Sequence, residues 1–161
     1  MNLNFIKLSN AQADLDSHIT KEKQIEHKDV LREKAIALCV EFGEMLNERP
    51  FIFKYWSVKT GDRANALQEY VDGLHFLLSY GNAIEFDFSK YEYRRPEEMD
   101  QRDLILGLFS LFGNLPYIKQ FEDALTYYLM LGENLNFTAE EIETAYYAKN
   151  EVNHERQEVG Y

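Results

Sequence analysis

The sequence is poor in several residue types, and each shortage excludes a class of protein. The single cysteine, Cys39, excludes an internal disulfide and a thiolate zinc cluster. Only 17 basic residues stand against 28 acidic ones, and a net charge of −11 disfavours nucleic acid or an anionic membrane surface as a partner. The chain has no apolar run of the ~20 residues that a membrane helix needs, and no basic-then-apolar leader. We therefore expect a soluble, cytoplasmic protein.

The scarcity of helix-breaking residues indicates the fold class. The 161 residues include only three prolines and eight glycines, and apolar positions recur every three or four residues, which is the period of amphipathic helices. At 45% hydrophobic content, a chain of this length can bury one core but is short for two. The sequence predicts an all-α helical bundle of about five to seven helices, formed as one domain by residues 1–161.

The helices can be placed approximately from periodicity and end signals. We expect them over about 10–27, 29–48, 62–80, 101–112, 116–135 and 138–156. Asn10 is predicted to cap the first helix, and Pro116 to occupy the first turn of the fifth. Thr138 and Glu141 have the spacing of a capping box. Residues 51–61 are aromatic and irregular, while residues 83–99 predict a long loop that moves or packs on a partner.

Two pairs of carboxylates are the first candidate site. The second helix carries Glu41-x-x-Glu44 and the third carries Glu69-x-x-Asp72, and a spacing of three places each pair on one helical face. A site made of four carboxylates without a thiolate suits Mg²⁺ or Mn²⁺, ions that commonly bridge to substrate phosphates. The alternative is that both pairs are solvated faces of amphipathic helices, because such pairs are common.

A di-iron carboxylate bundle is a competing interpretation of the metal site. It would use Glu-x-x-His pairs, for which the chain offers Glu151-x-x-His154 and, with Asp in place of Glu, Asp72-x-x-His75. The cations Lys149 and Arg156 near the first pair would repel iron and attract phosphate. We therefore favour the phosphate-related interpretation.

The final helix carries a candidate phosphate-binding face. Lys149, Asn153 and Arg156 are spaced four and three residues apart, so a continuous helix presents two cations and an amide on one side. Lys54, in the aromatic segment, would add a third cation. The alternative is a solvated helix end whose cations complement the helix dipole.

Several segments together resemble a known family. QADLD, EFGEMLNE, FKYWS, EYVDGLHFLLS and the closing AYYAKNEVNHERQEVGY occur in this order between Gln12 and Tyr161. In these segments the chain resembles the dimeric, all-α dUTPases, relatives of the MazG-type nucleotide pyrophosphohydrolases. The resemblance implies a homodimer that hydrolyses dUTP to dUMP and pyrophosphate with Mg²⁺, and it leaves the use of dUDP and any regulatory protein partner open.

The resemblance also assigns residues to parts of the substrate. The implied Mg²⁺ ligands are Glu41, Glu44, Glu69 and Asp72. The implied triphosphate contacts are Lys54, Lys149, Asn153 and Arg156. The implied nucleoside contacts are Gln12 and Trp56 for the base and Phe76 for the deoxyribose. The alternative for both aromatic residues is core packing, and His18 and His75 are expected to be structural.

The predicted mechanism is attack on phosphorus by a metal-activated water. Glu44 is the carboxylate that we expect to orient or deprotonate this water. Two other functions stay open on the sequence. One is hydrolysis of a different nucleotide such as dCTP, since base choice depends on a few contacts. The other is a helical interaction module without catalysis, in which residues 83–99 dock a partner.

Overall fold

The computed structural model describes residues 1–117 and 119–159, and these residues form helices and loops without a strand. The α-helices are α1 Phe5–Lys23, α2 Leu31–Asn47, α3 Arg63–Ala83, α4 Gln101–Asn114, α5 Phe121–Asn134 and α6 Ala139–Glu158. Short 3₁₀ helices cover His27–Val30 and Pro50–Ile52. The predicted all-α class is confirmed. None of the described helices combines the length and apolar character needed to cross a membrane.

Two predicted helix starts are wrong. The first helix begins at Phe5, where the Asn4 side chain accepts a hydrogen bond from the Lys7 N–H at 3.1 Å, and Asn10 lies inside the helix. The apolar face of α1 extends back to Phe5, which is buried, so the earlier asparagine is the cap. Pro116 lies in a turn after α4, in which the Tyr117 N–H bonds to the Asn114 carbonyl at 2.8 Å. The fifth helix starts only at Phe121.

The helix end signal at Thr138 acts as predicted, since Thr138 forms the capping box with Glu141. The side chain of Asp62 caps α3. Gly81 lies buried within α3, close to its end. A Cβ at this position would lie 2.5 Å from a ring atom of Phe88 and 2.7 Å from one of Phe121. The glycine is therefore explained by close packing of the two rings against the helix.

The centre of the bundle is α3. It packs along α2, and it also contacts α1, α5 and α6, while α4 packs on α2 and α5. The buried rings of Tyr70 on α3 and Tyr128 on α5 stack with centroids 4.4 Å apart. Each hydroxyl donates to the other residue's carbonyl, at 3.2 Å from Tyr70 and 2.7 Å from Tyr128. These contacts hold α3, and with it the Glu69 and Asp72 pair, in a defined position.

The predicted long loop covers residues 84–100 and packs on the chain's own core. Phe88 is buried, and the Tyr91 ring meets Phe5 edge-to-face with centroids 5.1 Å apart. The Tyr93 hydroxyl donates to Glu133 on α5 at 2.8 Å. The aromatic residues of the loop are therefore used within the chain and tie it to the start of α1 and to α5.

Candidate functional site

Carboxylates from α2 and α3 converge in the structure. Glu41, Glu69 and Asp72 each offer an oxygen, and the three oxygens lie within 4.8 Å of one another. No other group of three or more potential metal ligands meets this description in residues 1–117 and 119–159. Glu44 is exposed and lies outside the group, yet its charge raises the pKa of both Glu41 and Glu69. The two pairs predicted from spacing thus face each other across neighbouring helices.

The carboxylate group is electrostatically strained without a cation. Burial, together with the negative charges of Asp72, Glu44 and Glu69, raises the pKa of Glu41 to about 7. Burial also raises the pKa of Glu69 and of Asp72. Carboxylate oxygens this close repel one another when ionised, and a divalent cation removes the repulsion. The donor set and its spacing therefore fit a hard divalent metal ion.

A cationic face on α6 approaches the same carboxylates. Lys149 Nζ donates to Asp72 Oδ2 at 2.5 Å. The positive charges of Lys149 and Arg156 lower the pKa of Asp72 and partly offset the effect of its burial. Arg156 Nη1 also lies 3.5 Å from Asn153 Oδ1. The predicted face of Lys149, Asn153 and Arg156 is thus beside the carboxylates and not at a remote helix end.

The two faces border a cavity of about 400 Å³, a volume within the range of small-molecule sites. Its polar lining near the carboxylates consists of Glu41, Asp72, Lys149, Asn153, Arg156 and Gln157. Its polar lining from α1, the 3₁₀ helix, α2 and the later part of α3 consists of Gln12, Asp16, His27, Lys34, His75 and Ser79. Apolar contacts come from Leu15, Ile19, Ile25, Val30 and Phe76. The cavity therefore joins a highly charged region to a mixed polar and apolar one.

A buried hydrogen-bond network forms part of the cavity wall. Gln12 Oε1 accepts from His75 Nδ1 at 2.8 Å and from the Tyr146 hydroxyl at 2.9 Å. Gln12 Nε2 donates to Asp16 Oδ1 at 2.8 Å, and the Ser79 hydroxyl donates to the same oxygen at 2.8 Å. The prediction for Gln12 named one member of this network and His75 was expected to be structural, while the parts played by Asp16 and Ser79 were missed. Their signal in the sequence is the presence of polar residues on otherwise apolar helical faces.

A buried lysine closes the network beside α2. Lys34 is only 7% exposed, and its Nζ donates to the Ser79 carbonyl at 3.2 Å and lies 2.8 Å from His27 Nδ1. Burial lowers the pKa of Lys34, while the negative charge of Asp16 opposes that change. Lysine side chains are seldom buried, so the sequence did not predict this position.

Some predicted residues lie away from the cavity. Trp56 is 68% exposed, and Lys54 Nζ donates to Asn47 Oδ1 at 3.1 Å. Neither side chain lines the cavity, whereas Gln12 and Phe76 do. Gly160 and Tyr161, which complete the closing motif of the resemblance, lie outside the described residues.

The structure does not assemble the ligands of the di-iron alternative. Glu151 is exposed, and His154 Nδ1 lies 3.3 Å from His18 Nδ1. In the described part of the chain, no metal-binding group contains Glu151, His154 or His75. The carboxylate group stands alone as the candidate metal centre of those residues.

Comparison with known proteins identifies the family. The search of curated proteins found no match. A family model described as dUTPase matches residues 4–161, which is nearly the whole chain. The matched range includes the carboxylate pairs and the cationic face that border the cavity. The chain therefore belongs to the dUTPase family, in its all-α type 2 form, and is a nucleotide pyrophosphohydrolase, a dUTP diphosphatase.

Proposed function

We propose that the chain hydrolyses dUTP to dUMP and pyrophosphate in this cavity and requires Mg²⁺, with Mn²⁺ as a substitute. The observation that carries the proposal is the approach of Glu41, Glu69 and Asp72 within 4.8 Å, beside the cations of α6. A substrate with four negative charges needs cations, and an acidic chain of net charge −11 must concentrate them locally. The site does so with Lys149, Arg156 and the proposed metal.

The carboxylates have two proposed roles. Glu41, Glu69 and Asp72 would hold the metal, joined by Glu44 if its side chain turned inward. A bound Mg²⁺ would supply charge neutralisation for the phosphates and lower the pKa of a nearby water. Glu44 lies outside the tight group, so its carboxylate is free to accept a proton from the attacking water. The water oxygen bonds to phosphorus, the bond to the pyrophosphate leaving group breaks, and the proton passes to Glu44.

The α6 face is the proposed binding site for the phosphates. Lys149 pairs with Asp72 in the structure and can exchange this carboxylate for a phosphate oxygen. Asn153 and Arg156 line the cavity one and two turns further along the helix. Fixed cations at these positions stabilise the negative charge that develops on phosphate oxygens during the reaction.

The nucleoside contacts are supported unequally. Gln12 and Phe76 line the cavity, in agreement with proposed contacts to the base and the deoxyribose. Lys54 and Trp56 lie on an exposed segment, so their proposed roles require either a rearrangement of that segment or a second copy of the chain.

We also propose that the protein is a cytoplasmic, single-domain homodimer. The outer faces of α2 and α4 and the turn after α4 expose large apolar side chains: Ile36, Val40, Leu106, Phe109 and Tyr117. Several of these line a shallow apolar groove between α2 and the turn. Contiguous apolar surface of this kind is typical of protein interfaces. A second copy packed on this face would cover it.

The test is pyrophosphate release from dUTP, UTP, dTTP and dCTP, each with Mg²⁺ or with EDTA. We expect turnover of dUTP alone and only with Mg²⁺. Glu44→Gln should lower kcat by about 10²–10⁴-fold while dUMP binding persists, because general-base catalysis contributes a factor of this size. The matched control is Glu151→Gln, an exposed carboxylate on α6. A folded wild type that hydrolyses none of the four nucleotides would overturn the proposal.

A further inference from the structure

Asp72 lies where the carboxylate group meets the cationic face of α6. One of its oxygens belongs to the three that lie within 4.8 Å of one another, together with oxygens of Glu41 and Glu69. Its Oδ2 also accepts a hydrogen bond from Lys149 Nζ at 2.5 Å. Hydrogen bonds between two charged groups are among the stronger ones in proteins. The same carboxylate is therefore both a candidate metal ligand and the partner of a lysine.

The charge of Lys149 acts on the whole carboxylate group. Burial is the largest influence on the pKa of Glu41, Glu69 and Asp72, and it raises the pKa in each case. The charge of Lys149 lowers the pKa of all three carboxyls. The ammonium therefore does part of what a divalent cation would do at this position, which is to offset the repulsion among close carboxylates.

The backbone around Lys149 is fixed, while the side chain can move. Tyr146 and Asn150, on either side of it along α6, are both buried. The Tyr146 hydroxyl donates to Gln12 Oε1 at 2.9 Å, and Asn150 Nδ2 donates to the Ala11 carbonyl at 3.5 Å, so this part of α6 is attached to α1. The Lys149 side chain is 21% exposed and carries its charge on a flexible four-carbon stem. A change of partner therefore requires only rotation of this side chain.

Two cations on Asp72 would repel each other. A divalent ion bound among the three oxygens would lie within a few ångströms of the Lys149 ammonium, and like charges at this range repel strongly in a partly buried site. Movement of the flexible side chain relieves the repulsion. Lys149 lines the same cavity as Asn153 and Arg156, so an ammonium that leaves Asp72 stays among the groups proposed to bind phosphate.

We propose that Lys149 and the metal ion are alternative partners of Asp72, and that metal binding transfers Lys149 from this carboxylate to a phosphate of the nucleotide. The lysine thereby couples the two halves of the site, because its ammonium becomes available to the triphosphate when the carboxylates acquire another cation. Nucleotide that arrives without a metal ion meets repelling carboxylates and a lysine that is already paired. This inference rests on the proposed metal-dependent hydrolysis and deepens it.

The first test measures how fast the Lys149 amine reacts in the wild type. The folded protein is treated briefly with the acetate ester of sulfo-N-hydroxysuccinimide in EDTA or in Mg²⁺, and acetylation of each lysine is measured by mass spectrometry. Lys149 should react about 3–10-fold faster in Mg²⁺, a range between the effects of an exposed ion pair and of a hydrogen bond to a charged group. Lys7, which is exposed on α1, is the internal control and should not respond. An equal or slower rate at Lys149, with Mg²⁺ binding shown by calorimetry, would refute the exchange.

The same assay on Asp72→Asn identifies the partner that slows Lys149. This variant keeps the shape of the side chain and loses its charge, so Lys149 should react at the fast rate both in EDTA and in Mg²⁺. Slow reaction in the folded variant would show that a contact other than Asp72 limits Lys149, which contradicts the proposal.

The second test measures Mg²⁺ affinity by calorimetry. Lys149→Met keeps an unbranched apolar stem and loses the ammonium, whereas Arg156→Met removes a second cation whose charge acts on Asp72. Mg²⁺ should bind Lys149→Met about 10-fold tighter than wild type, because the ion no longer competes with a charged hydrogen-bond partner. The gain in Arg156→Met should be smaller. Equal gains in the two folded variants would show general charge repulsion without competition for Asp72 and would overturn the proposal.

These outcomes separate the inference from the function on which it rests. A wild type that binds Mg²⁺ and hydrolyses dUTP while Lys149 stays equally slow to react refutes the exchange alone. A wild type that neither binds Mg²⁺ nor hydrolyses dUTP refutes the proposed function, and the exchange with it.

Discussion

Removing one charge from the carboxylate group should stabilise the protein in the absence of metal. The pKa of Glu41 is raised from 4.5 to about 7, so above pH 7 its ionised form destabilises the folded state relative to the unfolded state. This penalty is relieved progressively as the pH falls from about 7 toward 4.5. The difference corresponds to at most about 3.4 kcal/mol. Solvent screens this partly exposed carboxylate, so we expect Glu41→Gln to add about 1–2 kcal/mol at pH 8.

The assay is thermal or urea unfolding in EDTA at pH 8 and at pH 5. At pH 8 the variant should melt about 2–8 °C above wild type, given the usual relation between stability and Tm at this chain length. At pH 5 most of the difference should vanish, because the wild-type carboxyl is then largely protonated. Mg²⁺ should stabilise wild type more than the variant, because the variant lacks one of its ligands.

The control is again Glu151→Gln, which changes the net charge equally at an exposed position of α6. At both pH 8 and pH 5, Glu151→Gln should change Tm only by the small amount that is usual for a surface substitution. If Glu41→Gln is less stable than wild type at pH 8 in EDTA, or gains as much at pH 5, mutual repulsion of the carboxylates is not the source of the effect.

Three further predictions concern packing, capping and assembly. Gly73→Ala should lower the free energy of unfolding by about 1–3 kcal/mol in urea, because the added Cβ would lie 2.3 Å from the Tyr128 hydroxyl. The control Gly107→Ala, which has open space around the added Cβ, should lower it by nothing. Thr138→Ala should lose about 1 kcal/mol with the capping box, and a loss no larger than that of Thr144→Ala would contradict this. Ile36→Glu should convert the proposed dimer into a folded monomer in size-exclusion chromatography with light scattering, and a persisting dimer would place the interface elsewhere.

Periodicity predicted the helices because the buried face of each repeats over several turns, but it says little about where a helix begins. Asn10 and Pro116 are both acceptable residues for a helix start, and neither is used. The actual starts depend on the burial of Phe5 and Phe121, and burial is decided by the other helices. Thr138 was placed correctly because a capping box is a local interaction between residues three apart.

The charged part of the site was predictable for a similar reason. The two carboxylates of each pair, such as Glu69 and Asp72, lie on the same face of one helix, which their spacing predicts. The sequence analysis had to assume only that the two helices pack with these faces together. The network of Gln12, Asp16 and His75 joins residues more than 60 positions apart, so it depends on the packing of α1 against α3. In the sequence these residues are isolated polar positions on apolar faces, so their hydrogen bonds to one another were not predicted.

The paired tyrosines of α3 and α5 also limit how the bundle can deform. Each hydroxyl sits against a glycine of the opposite helix, since a Cβ at Gly73 would meet Tyr128 and one at Gly132 would meet Tyr70. Sliding α3 along α5 by one residue, about 1.5 Å, would break both hydrogen bonds and move each hydroxyl away from the space beside its glycine. The two tyrosines and two glycines therefore oppose sliding of α3 against α5. The glutamate and aspartate side chains that α3 contributes to the site therefore keep a fixed position relative to α5.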